Sequence, residues 1–147
     1  MRSNTRLANA APVAMRMALA AGFLSAVADR FGLWGPTGTP GVSWGEFGKF
    51  LDYTATILPY LSTTLVAVAG WASTVAEIVL GVALLAGVRV RLAALASGVL
   101  LLTFAITMTT ALGPEAPLSY SVWTASAGAF LLAQDRPAAC QEPPVAA

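Results

Sequence analysis

The sequence predicts an all-α integral membrane four-helix bundle with a short interfacial amphipathic helix between the first and second membrane helices. Three observations carry that expectation. Apolar residues make up 57% of the 147 residues and charged residues 10%, with a mean hydropathy of +0.73, far from the composition of soluble domains. The stretch from Leu61 to Val88 holds one ionisable residue, Glu77, and about 20 apolar residues at about 1.5 Å rise cross the roughly 30 Å hydrocarbon core of a bilayer. Gly- and Pro-dense segments at 32–42 and 113–117 cut the chain into units of that order.

The first span is expected over 12–31. Arg2 and Arg6 followed by an apolar run and Ala26-Val27-Ala28 resemble a signal peptide with a small-x-small cleavage pattern, but we read the segment as a retained helix. Its uncharged part, Met17 to Ala28, is too short to cross alone, so Arg16 belongs inside the helix near its cytoplasmic end. There it either snorkels to the head groups or pairs with Glu77. Asp29 and Arg30 mark the outer end of this helix, as boundary charges or as charges facing inward.

After the 32–42 loop, Ser43 and Glu46 have capping-box spacing, and Phe47, Phe50, Leu51, Thr54 and Leu58 recur at helical intervals opposite Glu46, Lys49 and Asp52. This predicts an interfacial helix over about 44–57. Trp34, Trp44, Tyr53 and Tyr60 are its expected belt aromatics. Pro59 then re-aims the chain.

The second span, about 61–88, places Gly70, Thr74, Glu77 and Gly81 on one small, polar stripe, with Leu65, Val68, Val75, Val79 and Leu80 on other faces. Burying a carboxylate at such a depth costs about 2.5–3.5 kcal/mol when nothing answers it. Glu77 therefore points into the bundle. A third span is expected over 92–112, with Ala94, Ser97, Gly98 and Ala105 permitting close approach and Phe104 and Met108 as core residues or cavity lining. A fourth, shorter one is expected over 118–133, beginning at interfacial Tyr120 and Trp123. The tail from Gln134 to Ala147, with three prolines and no periodicity, is expected to be disordered or loosely attached.

Under four spans, Arg2, Arg6, Arg89, Arg91 and Arg136 share one side, against Arg30 and Lys49 on the other. Both termini are then cytoplasmic. The absence of histidine and the single Cys140 exclude imidazole-held haem or zinc, an internal disulfide and a cysteine-held iron–sulfur cluster. Nothing in a net charge of +1 calls for nucleic acid.

An arginine early in the first helix, the pattern Ala76-Glu77-Ile78-Val79-Leu80-Gly81-Val82-Ala83-Leu84-Leu85-Ala86-Gly87 followed by Arg89 and Arg91, and the arrangement of spans resemble the DoxX family of small four-helix membrane proteins. The resemblance covers most of residues 12–133. It implies one domain in the bacterial cytoplasmic membrane and an association with membrane redox systems, including quinone-linked oxidoreductases. The chain has no paired cysteines for thiol exchange.

Two functions follow as expectations. The first is an accessory or anchoring subunit without redox chemistry of its own, with no cofactor of its own, room for a quinone or a lipid, and a protein partner in the membrane or periplasm. The second is a small transporter or proton-conducting bundle in which Glu77 titrates. A third, an enzyme acting alone, has only Glu77, Arg16, Asp29 and Arg30 to draw on, and no catalytic or metal-binding set is assigned. Self-association is left open.

Overall fold

A computed structural model describes the backbone of residues 2–135 and the side chains from residue 10 onward over the same stretch. Among the described residues the chain forms six helices and no strand: α1 (Arg2–Arg30), α2 (Phe47–Ile57), α3 (Thr63–Ala86), α4 (Val90–Leu112), α5 (Glu115–Ser119) and α6 (Val122–Gln134). Three of them contain stretches long and apolar enough to cross a membrane: Ala10–Arg30, Thr63–Ala86 and Val90–Leu112.

The helix boundaries have local causes. Ser62 caps α3, its hydroxyl accepting from the Leu65 N–H, and Gly87 ends that helix in the left-handed region, a conformation that costs glycine little. α1 does not start at Pro12 as expected but runs through it from Arg2, although a proline inside a helix removes one backbone bond and crowds the carbonyl four residues back. The expected fourth span over 118–133 is broken. Ser121 takes a φ of 56°, so the backbone turns between α5 and the 13-residue α6, which is only about 20 Å long. Gln134 closes α6 rather than opening the tail, and residues 136–147 lie outside the described residues.

The interfacial helix starts three residues later than expected, and the Ser43–Glu46 capping box does not form. Glu46 caps α2 without a side-chain hydrogen bond, and the Ser43 N–H is instead taken by Asp29. α2 also does not stand alone. Phe50 and Thr54 are buried; Phe31, just after α1, stacks on Phe47 of α2 with ring centroids 5.6 Å apart, and Phe47 meets Trp71 of α3 at a tilt with centroids 4.4 Å apart.

α1 packs on α3 and α6, and α4 packs on α3 and α6, so these four helices close a ring. Leu19, Ala20, Phe23, Leu84, Ala94 and Ala129 form the core at one end of it. Two close approaches set its spacing. A Cβ at Gly98 would lie 2.8 Å from the Phe130 ring of α6, and one at Gly70 would lie 2.5 Å from Leu51 Cδ2 of α2. Ser126 of α6 also donates to the Gly98 carbonyl of α4 at 2.9 Å. Leu65, Val68, Val75 and Val79 face outward and are half exposed. Such a surface suits acyl chains better than water.

α1 and α3 run antiparallel with a definite offset. Arg30, the last residue of α1, meets Thr74 and Glu77; Leu24 packs at Gly81, and Arg16 packs at Gly87. The first part of α3, before Thr74, therefore projects past the end of α1 by about 16 Å. α2 covers that projection.

Candidate functional site

The offset places α1's terminal charges over the middle of α3. Arg30 Nη2 lies 2.8 Å from Glu77 Oε1, and Nη1 donates to Thr74 Oγ1 at 2.9 Å, with Arg30 3% and Glu77 2% exposed. The guanidinium lies over the Phe50 ring at 3.9 Å and beside the Trp44 ring at 5.5 Å, so its cationic face is turned to π-electron density rather than to water. Its partners come from three parts of the chain: Trp44 from the loop before α2, Phe50 from α2, and Thr74 and Glu77 from α3.

This arrangement corrects two expectations. Glu77 is answered by Arg30 and not by Arg16, because the helix offset carries Arg16 past Glu77 to the C-terminal end of α3. There its guanidinium lies against Gly87, where cations interact favourably with the helix dipole. Asp29 and Arg30 are not boundary charges but face inward, the other reading their position allowed, and both are buried. α2 and the preceding loop seal the end of α1 from solvent. Asp29 Oδ2 accepts the backbone N–H groups of Ser43 and Trp44 at 3.0 and 3.2 Å, so one carboxylate fixes the loop that delivers Trp44 to Arg30.

The neighbouring hydroxyls are already committed to their own helices. Thr74 donates to the Gly70 carbonyl at 2.8 Å, Ser73 to the same carbonyl at 2.9 Å, and Thr54 to the Phe50 carbonyl at 2.8 Å. Among the described residues, Glu77 Oε2 and Arg30 Nε are buried without a protein partner. Both residues line a cavity of about 1300 Å³, larger than the usual range for small-molecule sites. Its walls are mainly apolar, with Phe23, Ala76, Leu100, Phe104 and Met108 among them. Thus Phe104 and Met108, left open between core and lining by the sequence, line the cavity.

The aromatics divide by position. Trp34 and Tyr60 are exposed, and the Trp34 indole N–H donates to Ser25 at the end of α1. Trp44 and Tyr53 turn to the cavity instead, where Tyr120 joins them. Burial raises the pKa of the Tyr53 phenol above its ordinary value, and the neighbouring Tyr120 raises it further. Tyr53 therefore keeps its proton at neutral pH and remains a donor.

Sequence reasoning identified Glu77 and its stripe but passed over Trp44, Phe50 and Thr74 as partners of Arg30. Thr74 was signalled by its place three residues from Glu77; the two rings were not, since their approach depends on how α2 folds back. No family model, curated protein or solved structure matches the chain.

Proposed function

We propose that the chain is a multi-pass, four-helix membrane bundle of the DoxX type that acts as an accessory or anchoring subunit of a quinone-linked redox complex in a bacterial cytoplasmic membrane. In this reading α1, α3 and α4 cross the bilayer, and α5 with α6 completes the fourth passage. The arginine asymmetry puts both termini in the cytoplasm and α2 on the outer face. The carrying observation is the Arg30–Glu77 pair: the one carboxylate inside a 24-residue apolar helix is engaged by a guanidinium at 2.8 Å. A charge held in this way serves the architecture and needs no turnover. The absence of histidine and of a second cysteine fits a subunit that leaves electron transfer to its partner.

The test is purification of the whole chain in mild detergent followed by mass spectrometry of what travels with it. An oxidoreductase subunit retained with the chain is the expected result. A chain recovered alone that supports Glu77-dependent ion flux in liposomes overturns the reading in favour of the proton-conducting alternative. One observation favours that second reading, namely that Glu77 Oε2 has no protein partner among the described residues and belongs to a residue lining the cavity.

A further inference from the structure

We propose that the cavity binds a neutral molecule with an apolar body and a hydroxyl at its polar end, and that this hydroxyl donates to Glu77 Oε2. The apolar walls accept the body, and the ion pair selects the head. Arg30 and Glu77 line the cavity and cancel one another at 2.8 Å, while Asp29, held by two backbone amides, keeps its charge off the cavity wall. A cationic or anionic ligand would thus add an uncompensated charge to a poorly solvated space.

What the pair lacks is specific. Among the described residues, Glu77 Oε2 is an acceptor without a donor and Arg30 Nε a donor without an acceptor. Thr54, Ser73 and Thr74, hydroxyls of the cavity's Arg30 end or its own walls, donate to helix carbonyls. Unpaired buried groups of this kind are uncommon because each carries an unrecovered desolvation cost. A hydroxyl is the smallest neutral group that offers both a donor and an acceptor. A ketone or ether offers only the acceptor, and would leave Glu77 Oε2 as it stands. Such a hydroxyl belongs either to an aliphatic lipid alcohol or to a phenolic ring compound.

The inference needs no protein partner, so it can fail while the accessory role stands, and the reverse. Calorimetric titration of the full chain in detergent, against detergent alone, would use decanol and its methyl ether, decylphenol and its methyl ether, decanoate and decylammonium. At least one hydroxyl probe should bind about 10- to 100-fold more tightly than its own ether, the factor expected when a buried acceptor is left unpaired. Preference in the decanol pair alone supports the proposal with a lipid alcohol as ligand, preference in the decylphenol pair alone with a phenolic one, and preference in both with either. Equal binding of each alcohol and its ether overturns the proposal, as does tighter binding of decanoate or decylammonium than of either alcohol. Glu77→Gln presents an amide N–H₂ to the cavity once its oxygen accepts from Arg30. The discrimination should then shrink to about threefold or less; undiminished discrimination in that variant overturns the assignment to Glu77. The probe series on the unaltered chain stands by itself should the variant not fold.

Discussion

At the scale of single residues, the Arg30 guanidinium is committed by geometry as well as by charge. Two of its nitrogens are used on Thr74 and Glu77, and its face lies on Phe50. Arg30→Lys keeps the charge but cannot reproduce a planar fork with a stacked face, so a loss of about 1–3 kcal/mol in thermal stability in detergent is expected. Stability indistinguishable from the parent would show that a point charge suffices. Tyr53 supplies a pH dependence with a definite sign. Its folded-state pKa is raised, so its contribution is complete below the ordinary tyrosine value of about 10 and is lost as the pH rises through the folded value. The melting temperature of the parent should therefore fall more steeply above about pH 10 than that of Tyr53→Phe; parallel curves would remove Tyr53 from the account. Glu77's inward aim was legible in the sequence because the spacing of Gly70, Thr74, Glu77 and Gly81 fixes a face. Its partner was not. Arg16 and Arg30 share a stripe about 21 Å apart, and only the depth of α1 against α3 decides between them.

Among the elements, two close approaches should respond differently to the same change. At Gly98 a new methyl would meet three atoms of the Phe130 ring within 3.0 Å, and a packed ring has little room to yield. Gly98→Ala should cost about 1–3 kcal/mol as overpacking. At Gly70 the nearest obstacle is the tip of the Leu51 side chain, which can rotate away. The gain of about 1 kcal/mol from replacing a helical glycine by alanine then offsets much of the clash. Thermal melts of the two variants decide it, and an equal cost at both sites would contradict the packing described. The long apolar helices were readable from hydropathy and length, since lipid leaves the backbone few alternatives. The break at Ser121 was not, because nothing in Leu118 to Ala133 distinguishes a continuous helix from one interrupted by a single residue in the left-handed region. The capping box was misread for a related reason. Ser43 and Glu46 carry the right residue types at the right spacing, but Asp29, 14 residues upstream, captures the Ser43 N–H.

On the scale of the whole molecule, the offset between α1 and α3 ties the features together: it exposes the first turns of α3 to α2, brings Arg30 level with Glu77, and leaves Arg16 at the far end. The proposed topology can be checked in a Cys140-free background, where Pro40→Cys should react with an impermeant thiol reagent from outside and Val88→Cys only from inside. Both positions are exposed in the fold, so the reverse pattern would invert the orientation. The central claim, that Arg30 is the residue that answers Glu77 inside the bundle, is tested most directly by a double-mutant cycle of thermal stability in detergent. Arg30→Leu and Glu77→Leu should each lose about 3–5 kcal/mol, since each strands a buried charge. The double variant should recover much of that loss, whereas Arg16→Leu combined with Glu77→Leu should be additive within about 0.5 kcal/mol. Additive losses for Arg30 with Glu77, and coupling for Arg16 with Glu77, would contradict it.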